Sequence, residues 1–158
     1  MKKLLIHITI AVVLLAAGLA GLTQRAAADQ VYHTEHLVLE AVGGAPLQSG
    51  FVNNIHPNGP MVFAHEVYQL NGAEPFTRYQ VVLIAYPQGT QCIGAPGLVV
   101  PTAVLVTNKS GNGKAEVFFI PENIDDLDAH GLTFDMQWQV MNGSTVDYQT
   151  ICTVVTLD

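Results

Sequence analysis

The chain has 158 residues, nearly half of them apolar, with 13 acidic residues, six basic residues and a formal charge of −7. This length suits one domain with a real hydrophobic core, and the apolar content excludes an intrinsically disordered chain. The negative charge argues against nucleic acid as a partner, because binding to phosphate depends on basic side chains.

The first 28 residues have the three parts of a secretory signal peptide. A basic start, Met1–Lys3, precedes an apolar run from Leu4 to Leu22, and Ala26–Ala28 supplies the small residues that signal peptidase requires. We therefore expect cleavage after Ala28 and a single domain over residues 29–158 that is secreted or held in the periplasm or cell envelope. The alternative is a retained anchor, since an apolar run of this length is nearly enough to span a bilayer.

Cleavage would make the protein more acidic. All 13 acidic residues lie in the mature part, which keeps only Arg78, Lys109 and Lys114 as basic residues and has a formal charge of −10. We therefore expect the carboxylates to remain at the surface and to suit a cationic partner, and we expect no association with nucleic acid or, after signal cleavage, with the membrane.

The two cysteines of the mature part predict one disulfide. Cys92 and Cys152 would reach an oxidising compartment, where two cysteines most simply bond to each other. Two separate buried thiols are the alternative.

Eight strands are predicted between turn signals. Their ranges are 30–41, 50–55, 61–70, 77–86, 98–107, 114–120, 132–141 and 144–157. The clearest alternation of apolar and polar residues is in 132–141, where Trp138 belongs to the apolar face and is expected to be structural. Only residues 121–131 suit a short helical turn. The pattern predicts an all-β protein, an antiparallel two-sheet β-sandwich with one disulfide.

The segment Pro75-Phe76-Thr77-Arg78-Tyr79 resembles the tyrosine corner of fibronectin type III and immunoglobulin-like domains. This resemblance implies an immunoglobulin-like sandwich in which Tyr79 is buried and its hydroxyl bonds to the backbone upstream. The wider segments Asn71–Tyr79 and Thr107–Gly113 are similar to those of small exported bacterial β-sandwich proteins of unassigned role. Neither resemblance implies a catalytic residue.

Histidines near the start of the mature chain are candidate metal ligands. His33 and Glu35 lie two residues apart in a predicted strand and so share a face, and His65 on a neighbouring strand could join them. Such a set suits zinc or copper, although the sequence does not fix the register between the strands. Histidines on the exposed faces of strands are the alternative interpretation.

A second candidate metal site is the acidic segment with Asp125, Asp126 and Asp128. Oxygen-rich loops of this kind can hold calcium, but the spacing is not that of an EF-hand. A solvated loop or a capped helical turn is the alternative.

The function expected from these features is that of an exported, non-catalytic module that acts by surface binding or adhesion, without a cofactor. The sequence lacks the G-x-S-x-G elbow and the phosphate-binding loops that would favour an enzyme. The alternative is an exported metal-binding protein or small metalloenzyme that uses His33, Glu35 and His65.

Overall fold

The structure, a computed structural model, describes residues 32–57, 64–120 and 131–157. These residues form nine strands and no helix. The strands are β1 (Tyr32–Ala41), β2 (Ser49–Pro57), β3 (Ala64–Asn71), β4 (Arg78–Pro87), β5 (Leu98–Val106), β6 (Gly113–Phe119), β7 (Thr133–Asn142), β8 (Thr145–Thr150) and β9 (Thr153–Thr156).

The all-β prediction is confirmed, and each predicted strand has a counterpart. The last predicted strand, 144–157, is divided at Ile151 and Cys152 into β8 and β9. The predicted signal peptide and nearly all of the predicted helical turn lie outside the described residues.

All strand pairs are antiparallel, and their pairing forms one continuous sheet. The strand order is β5-β4-β7-β8-β1-β2-β3-β6, with β9 beside β7. The two end strands, β5 and β6, also approach each other, because Gly113 of β6 lies against Leu105 and Val106 of β5, so the sheet is nearly barrel-shaped. The two separate sheets expected of a sandwich are not confirmed, because β1 belongs to both parts of the pairing. Its first seven residues pair with β2, and Leu39–Ala41 pair with β8.

The inner face of this curved sheet holds the main core. Alternate residues of the strands point inward, as period 2 requires. The largest apolar or aromatic side chains that are fully buried are Trp138, Tyr68, Tyr79, Tyr148, Leu70, Leu105, Val52, Val81 and Val140. A smaller buried cluster of Val82, Ile84 and Tyr86 lies on the other face of β4, packed against Cys92 and Met141.

The loops that follow β3 and β5 interlock at one end of the sheet. The Ala73 N–H donates to the Gly111 carbonyl at 3.0 Å, and the Thr107 hydroxyl donates to the Glu74 carbonyl at 2.6 Å. Gly111 has a φ of 74°, and a Cβ atom there would collide with the carbonyl of Ala73, so only glycine fits. These loops contain most of the segments Asn71–Tyr79 and Thr107–Gly113, for which the resemblance to known domains stays a prediction.

The predicted disulfide is present between Cys92 and Cys152, with Cα atoms 5.7 Å apart. Within the three described ranges, no helix is long and apolar enough to cross a membrane.

Candidate functional site

The structure separates His65 from the other two predicted metal ligands. His33 and Glu35 lie on one face of β1, with His56 and Asn54 as their partners on β2. His65 pairs with Ile55, which pairs with Thr34, so His65 lies on the opposite face.

His65 has other partners on the outer face. Its Nε2 lies 3.2 Å from a carboxylate oxygen of Glu116, and its ring stacks on Phe118 with 4.1 Å between the ring centroids. No three histidine, cysteine, aspartate or glutamate side chains among the described residues are arranged to hold a metal ion. The predicted calcium ligands Asp125, Asp126 and Asp128 lie outside the described residues.

The inner face instead holds a buried carboxyl group, that of Glu66 on β3. Glu66 is 2% exposed, and its Oε2 accepts hydrogen bonds from the Tyr68 hydroxyl and, at 3.0 Å, from the indole N–H of Trp138. The Tyr68 hydroxyl is also hydrogen-bonded to the hydroxyl of Thr102, 2.7 Å away. Thr102 lies at a bulge in the β4–β5 pairing. Side chains from β3, β5 and β7 therefore form one hydrogen-bonded group, in which Thr102 reaches Glu66 through Tyr68.

Burial changes the acidity of these groups. It raises the pKa of Glu66 from 4.5 to about 7, against the two hydrogen bonds that lower it, and the nearby charge of Glu35 raises it further. Burial, together with the charge of Glu66, raises the pKa of Tyr68 well above its usual range. The tyrosine hydroxyl is therefore a permanent donor, whereas Glu66 changes its protonation near neutrality.

A row of polar residues continues from Glu66 across the strands. Asn54 is the direct partner of both Glu66 on β3 and Glu35 on β1, and its amide nitrogen donates to Glu35 Oε2 at 3.0 Å. One pair further along, the rings of His33 and His56 meet edge to face, with centroids 5.4 Å apart. The polar cluster therefore occupies the part of the inner face formed by β1, β2 and β3.

Sequence reasoning missed Glu66, but a signal was present. In the predicted strand 61–70, Glu66 is in phase with Tyr68 and Leu70, which both proved to be buried. A carboxyl group at a core-facing position of a strand is unusual, because burial of a charge is costly. Such a residue is therefore a candidate for a special role.

A second region is held by the disulfide on the outer side of the sheet. The loop between β4 and β5 packs through Cys92 onto the small cluster of Val82, Ile84 and Tyr86. Gln91 and Cys92 both have left-handed backbone angles, with φ of 55° and 58°. Such angles are costly for residues other than glycine and persist only where the surroundings enforce them.

Two contacts enforce this backbone. The first is the disulfide to Cys152, and the second is a hydrogen bond of 2.6 Å from the Gln91 N–H to Asp135 on β7. Asp135 is 2% exposed, so its carboxyl group stabilises the loop and does not contribute to the acidic surface. Together with Glu66, it corrects the expectation that the carboxylates all remain at the surface.

Three exposed apolar residues lie within two positions of the bonded cysteines in sequence. Ile93 and Ile151, which adjoin the bonded cysteines in sequence, are 73% and 62% exposed, and Val154 on β9 is 60% exposed. Val154 is the cross-strand partner of Asp135, which binds the same loop. We call Ile93, Ile151 and Val154 the disulfide ridge.

Tyr79 is fully buried, but its hydrogen bond differs from the expected one. Its hydroxyl lies 3.2 Å from the hydroxyl of Tyr148, which donates to the Pro46 carbonyl at 2.9 Å. The link to the backbone upstream therefore passes through a second tyrosine.

Comparison with known proteins gives no relative: the chain matches no family model, no curated protein and no solved structure.

Proposed function

We propose that this protein is an exported, non-catalytic module that binds a partner through its surface, with the disulfide ridge at the centre of the contact. The observation that carries this proposal is the combination of exposed apolar side chains with an enforced backbone. Apolar side chains grouped on a surface are typical of interaction sites, and a rigid site loses little entropy on binding.

The anchoring of the ridge supports a binding role. A disulfide and a buried aspartate hold the residues next to Ile93 in a left-handed backbone conformation. Such strain costs free energy and is concentrated at functional sites, which supports a role for this loop. The polar cluster around Glu66, in contrast, is enclosed by Tyr68 and Trp138, which are fully buried. Its groups suit interior contacts and not contact with a substrate.

The acidic character of the chain gives the contact a second component. Glu40, Glu74 and Glu116 are exposed, and an acidic surface would speed association with a cationic partner. Export is supported by the signal-like residues 1–28 and is compatible with the disulfide, which persists in oxidising compartments. Within this proposal the sheet is an immunoglobulin-like sandwich whose two halves are joined through β1.

The test compares two double variants of the purified exported protein. Ile93→Ser/Ile151→Ser removes most of the ridge, whereas Val38→Ser/Val106→Ser removes two apolar side chains elsewhere that are similarly exposed, at 57% and 56%. Binding to intact cells and washed envelopes of the producing organism is measured by fluorescence at low, physiological and high salt. Near-ultraviolet circular dichroism of Trp138 verifies that both variants are folded.

We expect the ridge variant to lose at least about tenfold in affinity, the control variant to bind as the wild type does, and salt to weaken binding moderately. Equal losses in both variants would refute a contact centred on the disulfide ridge. Binding that salt abolishes and the ridge variant retains would move the contact to the acidic surface. No binding of the wild type to either preparation would refute the proposed function.

A further inference from the structure

The polar row of Glu35, Asn54 and Glu66 contains one hydrogen-bond acceptor, Asn54 Oδ1, for which the described residues show no donor. Asn54 is 4% exposed, and its amide nitrogen is used by Glu35. Its Oδ1 atom is buried and has no hydrogen-bond partner among the described residues. A buried acceptor without a partner is costly and rare in folded proteins.

Glu66 is the neighbour that can supply the missing donor. Asn54 and Glu66 are directly paired across β2 and β3, and side chains at such positions have Cβ atoms about 5 Å apart. Glu66 Oε2 already accepts two hydrogen bonds, from Tyr68 and Trp138, as the carbonyl oxygen of a neutral carboxyl group would. The other oxygen, Oε1, is then the one that carries a proton.

We infer that Glu66 holds a proton in the folded protein and donates it from Oε1 to Asn54 Oδ1, so that the row Glu35–Asn54–Glu66 is a proton-operated lock between β1, β2 and β3. With the proton present, each member of the row has a partner. Without it, two carboxylates and an amide oxygen face each other inside the sheet.

No lysine or arginine in the described part of the chain takes the place of the proton at Glu66. Glu66 faces Glu35 from β1, Asn54 and the nearby His56 from β2, Trp138 from β7, and Val117 from β6. Tyr68 lies on its own strand, and His33 contacts His56 beyond Glu35. The lysines and arginines among the described residues are Arg78, Lys109 and Lys114; they are exposed, and none of them forms an ion pair with Glu35 or Glu66.

The acidity of Glu66 agrees with this geometry and sets the range in which the lock opens. Burial raises its pKa in the folded protein to about 7, above the 4.5 of the unfolded chain. The folded form therefore binds the proton more tightly. The stabilising effect is complete below the unfolded pKa, decreases as the pH rises, and is lost once the pH passes about 7.

The experiment is a series of denaturant unfolding curves of the exported protein between about pH 5 and pH 8.5. We expect the folding equilibrium constant of the wild type to fall on the order of 100-fold over this range. In Glu66→Gln the amide can donate to Asn54 Oδ1 at every pH, so most of this fall should disappear. The matched control is Glu40→Gln, an exposed position on the strand of Glu35, which should retain the wild-type dependence.

A direct measurement covers the case in which Glu66→Gln does not fold. The infrared spectrum of the wild type should show the carbonyl band of a protonated, buried carboxyl group at about pH 6, and this band should vanish by about pH 8.5. Absence of the band at about pH 6, or an equal pH dependence in wild type and Glu66→Gln, would refute the lock. So would stabilisation by millimolar calcium or magnesium that Glu66→Gln abolishes, because the occupant would then be a metal ion.

Discussion

Glu66 and Asp135 are equally buried, each 2% exposed, yet their carboxyl groups serve different structures. Glu66 accepts hydrogen bonds from side chains on strands and faces a second carboxyl group, Glu35, across Asn54. Asp135 accepts a hydrogen bond from the backbone of a strained loop on the outer side of the sheet. A buried acid can thus connect strands across the core or fasten a loop, and the chemistry of its donors determines which.

β7 separates the two regions. Asp135 and Trp138 lie three residues apart on this strand, so their side chains point to opposite faces. Asp135 holds the disulfide loop outside, and Trp138 binds Glu66 inside. If the disulfide loop and the Glu66 cluster are energetically independent, a variant in one of them should leave the hydrogen bonds of the other unchanged.

The largest expected effect is that of removing the disulfide. In Cys92→Ser/Cys152→Ser the free energy of unfolding should decrease by about 4 kcal/mol, because the bond closes a long loop. Urea unfolding measures this loss, and reduced wild type is the control. The infrared band of Glu66 should keep its wild-type pH dependence, and a shifted dependence would show that the two regions are coupled.

Replacement of Asp135 should have the next largest effect. Asp135→Ala leaves the Gln91 N–H without its acceptor and should cost about 2 kcal/mol. Hydrogen exchange at residues 90–93 should accelerate, while exchange in β3 should change only as global stability does. Glu40→Ala, at an exposed position, should change stability by less than about 0.5 kcal/mol, and an equal cost there would contradict a specific role for Asp135.

Trp138→Phe tests the inner region with an aromatic ring that has no hydrogen-bond donor, and the smaller ring leaves part of the indole volume empty. The variant removes one donor to Glu66 and should cost about 1.5 kcal/mol. The indole N–H lowers the pKa of Glu66, so its loss should raise this pKa above about 7 and move the loss of stability to higher pH. A titration of the Glu66 infrared band measures the shift, and a fall in the pKa would contradict this account.

The hydrogen bond between the Tyr79 and Tyr148 hydroxyls is buried and involves no carboxyl group. The loss of stability on its removal is the reference value for the variants of the Glu66 cluster. Tyr79→Phe removes one contact and should cost about 1 kcal/mol. Tyr148→Phe also removes the donor to the Pro46 carbonyl and should cost more. Thermal unfolding of both variants at one pH gives the comparison, and a smaller cost for Tyr148→Phe would refute the proposed chain of donors.

Strand positions could be predicted because they depend on local signals. Alternation and turn residues located eight segments, with ends that differ from the observed ones by a few residues. The break at Ile151 and Cys152 was not predicted, because it depends on pairing: β8 pairs with one half of β7 and β9 with the other. A continuous predicted strand cannot show that its two halves belong to different parts of a partner. The strand order is likewise a product of tertiary pairing and leaves no trace in local periodicity.

The site predictions show the same limit. His33 and Glu35 share a face as their spacing predicts, but the register of β2 and β3 places His65 on the other side. A shift of one residue decides which side chains meet, and the sequence does not state the register. The tyrosine corner and the export signal remain predictions, as does the partner.

Because β1 pairs with both β2 and β8, its two parts become paired at different stages of folding. The first part of β1 pairs with β2 through a short hairpin, which is a local contact. Leu39 pairs with Thr150, more than 100 residues later in the chain. The disulfide likewise needs Cys152, which lies two residues after Thr150. Contacts of such long sequence separation form slowly, so the sheet becomes complete, and the disulfide ridge is set, only in the last stage of folding.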